Sequence, residues 1–337
     1  MKRFLQFIVI TFVIMSITAQ SEETDSENEK VDITPKILAL VRAKAEQNLS
    51  IQNMNFMVRN ARFGVKGRLT HQISYKIEID WMDKEDIDMN DAKIIYSPIK
   101  VLEFTIGQFK VPFANDYHRN PADYSFANRN FITKRIMKNL RDVGVMAGYS
   151  LPFKTVPTKL ELGIFNGNSS NTFEHDLYKA VAGKISISPF KNSFLTFSGY
   201  NGEVTLDKVS RKHIMAEMLG ASFTQNIGNF FIDIEGAYKG YKDSLKTKYW
   251  AAFGVLAYDI PIANSSLLKI TPAIRFDMQD RNHDFLDESP RRISAGVTFH
   301  LKENNNSYFR LDFEKYSYKS GFKSESDMIT LEYVIRY

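Results

Sequence analysis

Polar and apolar positions alternate along most of this chain, and the alternation is cleanest at its end. In Met328 to Tyr337, Ile329, Leu331, Tyr333, Ile335 and Tyr337 fall on one face, while Thr330, Glu332 and Arg336 fall on the other with Val334 as its one apolar member. The pattern recurs upstream. Ile73, Tyr75, Ile77, Ile79 and Trp81 oppose Ser74, Lys76, Glu78 and Asp80, and Ala61, Phe63, Val65 and Leu69 oppose Asn60, Arg62, Lys66 and Arg68. Leu268, Ile270, Ile274, Phe276 and Met278 oppose Lys269, Thr271, Arg275, Asp277 and Gln279. Ile293, Ala295, Val297, Phe299 and Leu301 oppose Arg292, Ser294, Thr298 and His300, while Phe309, Leu311 and Phe313 oppose Arg310 and Asp312. A period of two is the mark of strands whose two faces meet different surroundings. From Ile37 onward there are about sixteen such segments, separated by turn signals at a mean spacing of about nineteen residues.

Residues 37–50 (ILALVRAKAEQNLS) are compatible with a short helix or an opening strand. The strand is the better reading, because an even strand count closes a bacterial barrel. Ser97 to Lys100 and Asn226 to Asn229 read as tight turns. Ala114 to Arg141 breaks the alternation completely, and a loop of that length inside a compact domain is uncommon unless it has a function. It carries His118, Arg119, Arg129, Lys134, Arg135, Lys138 and Arg141 against Asp116 and Asp123.

Alternation alone does not separate a soluble sandwich, with polar faces in bulk water, from a barrel with apolar faces in lipid and polar faces in a wet lumen. Three features favour the barrel. The N-terminus reads as an export leader: Lys2 and Arg3, an apolar run from Phe4 to Ile17, and a cleavage site after Ala19, giving residues 1–19 as a signal peptide. Outward aromatics (Tyr75, Trp81, Tyr333, Tyr337) suit the girdles at a membrane interface, and the last strand ends on one of them. Nothing after the leader approaches the apolar length of a helical span, which leaves strands as the only means of crossing. The expectation is an all-β transmembrane antiparallel barrel over residues 37–337 in a cell outer membrane.

Composition refines this. There is no cysteine, which rules out a small disulfide-stapled fold for an exported chain. The net charge is +5. Residues 20–36, an acidic flexible spacer, hold six acids against two lysines, and Lys2 and Arg3 belong to the leader, so the barrel itself is near +7. A basic lumen favours anions. Arg62, Lys66, Arg68 and Lys76 form a basic patch on the lumen faces of two neighbouring strands.

Enzyme chemistry finds little support. The six histidines (His71, His118, His175, His213, His283, His300) show no metal-ligand spacing, and no G-x-S-x-G elbow occurs. His283 beside Asp280 and Asp284 is the only arrangement that suggests a catalytic pair. No metal, cofactor or nucleic-acid partner is expected; outer-membrane lipid and small anions are.

Several runs resemble the phosphate-selective porins of the O and P type. They are Phe63-Gly64-Val65-Lys66-Gly67, Ser74 to Asp80, Tyr96-Ser97-Pro98-Ile99, Ile106-Gly107-Gln108-Phe109-Lys110-Val111-Pro112-Phe113, Arg141-Asp142-Val143-Gly144-Val145 and Gly163-Ile164-Phe165-Asn166-Gly167. The resemblance is strongest over 56–168. It implies a sixteen-stranded outer-membrane barrel, usually a homotrimer, whose lumen is narrowed by an inward-folded loop and whose arginines and lysines guide phosphate-like anions. In that reading residues 114–141 build the constriction, and Arg129, Lys134 and Arg135, with Arg119, are the loop's candidates for anion contact, the alternative being solvated loop charges. Lys110 either points at the constriction or balances Glu103 on the wall. Arg141, with Asp142, either anchors the loop end or meets the anion. No unbroken row of arginines is legible, and acids such as Glu78, Asp80, Asp233, Glu235, Asp277, Asp312 and Glu332 share the lumen face. The competing readings are a plugged structural or adhesive barrel and a soluble secreted β protein.

Overall fold

Each alternating segment becomes one strand of a single antiparallel sheet that closes on itself. The computed structural model describes residues 34–337 except 84–85, 137–139, 152–155, 173–176, 208–211, 243–246, 264–265, 283–288, 303–305 and 319–325. The expected leader, nearly all of the acidic spacer, Lys138, His175 and the His283–Asp284 pair lie outside the described residues.

The strands are β1 (Lys36–Asn48), β2 (Asn53–Arg68), β3 (Ile73–Asp83), β4 (Asp86–Ile99), β5 (Leu102–Lys110), β6 (Arg141–Leu151), β7 (Thr158–Phe165) and β8 (Ala180–Ile187). They continue as β9 (Ser193–Asp207), β10 (Lys212–Ile227), β11 (Phe230–Tyr241), β12 (Lys248–Tyr258), β13 (Leu267–Asn282), β14 (Pro290–Leu301), β15 (Ser307–Tyr318) and β16 (Ser326–Arg336). The pair Ile260–Pro261 pairs with β13 beyond Asp259 and continues β12, which makes a closed barrel of 16 strands. Closure is made by β1, which pairs with β2 on one side and with β16 on the other, Leu40 opposite Arg336 and Asn48 opposite Met328. Residues 37–50 are thus strand for most of their length, as the even count required.

The wall is inside out relative to a soluble protein. Ile77, Ile106, Leu162, Ile274, Ile293 and Leu331 are each at least half exposed, whereas Asp277, Arg292 and Glu332 on the opposite face are fully buried. An apolar surface that runs around the whole sheet requires lipid. No helix among the described residues is long and apolar enough to cross a membrane, and the strands do the crossing. One end of the barrel carries tight turns. Gly228 (φ +57) and Asn229 join β10 to β11, and residues 100–101 join β4 to β5. Exposed Tyr96, Tyr149, Phe230, Tyr258 and Tyr337 ring that end, while Trp81 and Trp250 lie toward the other, the placement expected of interfacial aromatics.

Residues 111–140, between β5 and β6, contain three short helical turns, Asp116–His118, Pro121–Asp123 and Ile132–Ile136. They pack against inward-facing residues of the wall and bring an apolar core with them. Val111, Phe113, Phe126, Phe131, Ile132 and Ile136 bury against Met218, Ala237, Ala251, Phe253 and Val255. The exception in the last strand is explained in the same way. Val334 faces inward because Ala122 of the loop, Leu40 and Tyr308 cover it.

Candidate functional site

The loop carries many backbone carbonyls that no ladder pairs, and a buried carbonyl without a donor is costly. Four arginines supply the donors. Arg310 on β15 donates to Tyr124 O, Arg42 on β1 to Ala127 O (2.9 Å), Arg275 on β13 to Asn128 O (2.8 Å) and Arg292 on β14 to Arg129 O (2.9 Å). All four guanidinium groups are buried, so each needs an anion. Arg292 forks onto both oxygens of Asp277 at 2.9 Å and reaches Glu314 at 3.1 Å. Arg275 meets Glu314 at 2.7 Å, and Arg42 and Arg310 share Glu332 at 2.6 and 3.0 Å. Loop aromatics sit on the same cations, Phe126 with its ring centroid 4.5 Å from Arg275 and Phe131 4.9 Å from Arg292. An arginine row therefore does exist, contrary to the reading from alternation, but it is turned to the loop.

Acids of β11 hold the other limb of the loop. Glu235 accepts the amides of Asn115 (3.2 Å) and Asp116 (2.9 Å), and Asp233 takes the Arg119 guanidinium at 2.5 and 2.7 Å. Burial, opposed by Arg119, raises the Asp116 carboxyl above its ordinary value, and it accepts from Asn130 and Thr133. Burial, then the charges of Lys184 and Lys110, holds His118 well below the usual imidazole range; its neutral ring donates from Nε2 to Val111 O at 2.9 Å.

These ties run to β1, β11 and β13–β15, and toward the opposite wall, β2 to β7, the loop packs less closely. A cavity of about 310 Å³ lies there between wall and loop. Six cations line it, Arg62, Lys76, Lys93, Lys110, Arg141 and Lys159, with four carboxylates, Glu78, Asp91, Glu103 and Glu161. Most are paired: Arg62 with Asp80 (2.8 Å), Lys76 with Asp91 (2.7 Å) and Glu78 (3.0 Å), Arg141 with Asp91 (3.0 Å), Lys159 with Glu103 (2.7 Å). Lys93 meets no carboxylate within ion-pair distance among the described residues, and its ammonium lies 5.7 Å from the Phe109 ring centroid.

Register adds a pattern that no single strand displays. Lys36 on β1 stands directly opposite Lys66 on β2, Lys66 opposite Lys76 on β3, and Lys76 opposite Lys93 on β4. Four lysines thus form one cross-strand row on the lumen face, about 14 Å long at about 4.8 Å per strand. Like charges directly opposite each other are destabilising. The row begins at the short-turn rim with exposed Lys36 and Lys66 and ends at half-buried Lys93 in the cavity. Beyond it comes Gly107, opposite Lys93, with φ +125; an added Cβ there would lie 2.1 Å from Ala92 O.

The residues singled out from the sequence divide accordingly. Arg62, Lys76, Lys110 and Arg141 converge on the cavity. Lys110 neither balances Glu103, which Lys159 holds, nor is free; it donates to Tyr117 O (2.6 Å) and Arg119 O (3.1 Å). Arg141 bonds Asp91, while Asp142 accepts from its own strand's Val143 amide and from Gly167 N, so the pair anchors the loop's end. Arg119 is an anchor too. Arg129 lies over Tyr124, its guanidinium 5.9 Å from the ring centroid, away from the cavity. Lys134 and Arg135 are exposed on the last loop turn; Lys66 and Arg68 are exposed near the short-turn rim. Sequence reasoning missed Lys93 and Lys159. The parity of Ala92-Lys93-Ile94 marks Lys93 as inward, but its alignment with Lys76 needs the register.

The sequence profile of the phosphate-selective porin O and P family matches residues 39–197, from β1 into β9. This is the fold and the sequence signature of an outer-membrane porin. No curated protein matches the chain. Among solved structures, the porin is similar to OprB of Pseudomonas putida (10% identity, TM-score 0.66, covering 91% of this chain and 95% of that one). It is similar also to an anion-selective porin from Comamonas acidovorans (10% identity, TM-score 0.64, 90% and 99% covered). The trimer form of OmpT of Vibrio cholerae is a third (12% identity, TM-score 0.62, 90% and 99% covered). At such identities the likeness is of fold. The matched profile, which covers a little under half of the chain, is that of a porin family, and among the described residues no cluster could hold a metal.

Proposed function

We propose that this porin passes small anions, phosphate among them, down their gradient through the passage between the loop and β2–β7. Residues 111–140 narrow the lumen by filling the side of β9–β16. The observation that carries the reading is the lysine row Lys36, Lys66, Lys76 and Lys93, in which only Lys76 has a carboxylate partner among the described residues. A row of like charges with carboxylates at only one of its four members stays folded most easily with mobile anions beside it. An anion that sheds part of its hydration in the passage has it replaced by ammonium groups, weakly enough to leave again. The Comamonas relative, described as anion-selective, supports the same preference, and the trimer form of OmpT supports assembly in threes. Export is by a leader cleaved after Ala19.

Reversal potential in planar bilayers under a KCl gradient tests this. Wild type should prefer anions, and Lys66→Gln with Lys93→Gln should bring the preference toward unity. An unchanged potential in the double variant overturns the role of the row. The seal of the loop against half the wall favours a second reading, a plugged barrel, and absence of any current would establish that one instead.

A further inference from the structure

The segment Asn115–Asn120 has the cavity on one side and a sealed charge cluster on the other. Lys110, His118 and Asn120 line the cavity, and Lys110 holds the segment there through Tyr117 O and Arg119 O. Behind it stands β11, whose Asp233 and Glu235 are fully buried, and Asp116 of the segment is buried with them. Glu235 turns one oxygen to each of the Asn115 and Asp116 amides, and Asp233 takes the Arg119 guanidinium and the Thr224 hydroxyl. Asp116 accepts from Asn130 and Thr133 at Oδ2, while its Oδ1 meets only Arg119 among the described residues, at 3.4 Å. Three carboxylates therefore surround one cation. The other cations at this place do not alter the count. Arg275 and Arg129 line a water-sized cavity of about 20 Å³ beside Asp116 and Asp233, but Arg275 pairs with Asp277 and Glu314, and Arg129 lies over Tyr124. What β9 and β12 add there, Ser198, Phe253 and Val255, carries no charge.

Like charges held this close and away from water do not all ionise. The proton they keep belongs on Asp116, whose Oδ1 has the fewest donors and whose carboxyl is raised above its ordinary value by burial. We propose that Asp116, Asp233, Glu235 and Arg119 form a proton-dependent catch on the segment Asn115–Asn120: one bound proton keeps the segment against β11, and loss of that proton drives it into the passage. This rests on the passage reading above. With β11 behind it, a segment repelled by Asp233 and Glu235 has only the cavity to move into, and the cavity lining at His118 and Asn120 moves with it. A carboxyl raised by folding stabilises the folded arrangement below its raised value and stops doing so as pH climbs through it. The catch therefore holds at neutral pH and fails on the alkaline side, since buried carboxyls titrate as high as about 8–9.

The test is single-channel recording in symmetric salt from about pH 6.5 to about pH 9.5, a range that brackets such a carboxyl. Wild type should close more often as pH rises, its closed-time fraction growing several-fold, and the change should reverse on return to neutral pH. Asp116→Asn copies the protonated carboxyl, and Glu235→Gln removes the opposing charge. Each should keep a level closed-time fraction over the same range, and either one suffices if the other fails to fold. A level wild-type record would overturn the catch while leaving the channel in place. Closures that persist in the folded variants would overturn it too, since they would then come from Lys110 losing its hold on Tyr117 O and Arg119 O. No current from wild type at any pH would overturn the passage, and the catch with it.

Discussion

Replacing Arg292 by Met tests whether the arginine row is what fixes the loop. The side chain is fully buried and makes five polar contacts: two to Asp277, one each to Glu314 and Tyr316 Oη, and one to the carbonyl of Arg129. In the intact cluster Arg42, Arg275, Arg292 and Arg310 face Asp277, Asp312, Glu314 and Glu332, four charges of each sign. Methionine fills much of the volume but removes one cation, so Asp277 and Glu314 are left to share Arg275, one buried negative charge goes unbalanced, and the Arg129 carbonyl loses its donor. Breaking a buried pair in this way costs about 3–5 kcal/mol. Urea unfolding in lipid vesicles, followed by tryptophan fluorescence, measures it. Asp277→Asn added to Arg292→Met should recover part of the loss, because the orphaned charge is then gone. Single-channel records should become noisier, since the loop has lost one of its four arginine-held carbonyls. A variant within about 1 kcal/mol of wild type, the range of an exposed pair, with unchanged current noise, would refute the clamp.

Two further outcomes follow from the same geometry. Lys134, on the loop turn, is open to lumen water but surrounded by protein; burial, then the charge of Arg292, lowers its ammonium to about 8. A lowered value means the charge is present below that pH and lost as pH rises through it, so anion preference should decline between about pH 7 and 9 and stay level in Lys134→Arg; a level wild-type profile would count against Lys134. Gly107→Ala puts a Cβ 2.1 Å from Ala92 O at φ +125, and should cost about 2 kcal/mol or more and lower the yield of folded barrel. Full yield at unchanged stability would mean that the β4–β5 pair shifts freely.

Two-fold periodicity was sufficient to determine the strands, their inward and outward faces and the closure of the wall, because each of these depends on local parity and on a boundary between lipid and water. That is why β1 could be taken as strand and why Ser97 to Lys100 and Asn226 to Asn229 could be placed at turns. Parity also put Arg62, Lys76, Arg275, Arg292 and Arg310 on the lumen side. What those cations do was decided only by tertiary structure. Arg292 and Lys93 look alike in sequence, each an inward base in an alternating strand, yet one is sealed against a loop more than 150 residues away and the other lines the cavity between loop and wall. Val334 reads as an irregularity until the loop is laid against it, and the inner face of β12 is apolar for the same reason. The lysine row exists only through the register of four strands, and register is a non-local property: it is set by how the ladders align across the sheet, and no single segment contains it.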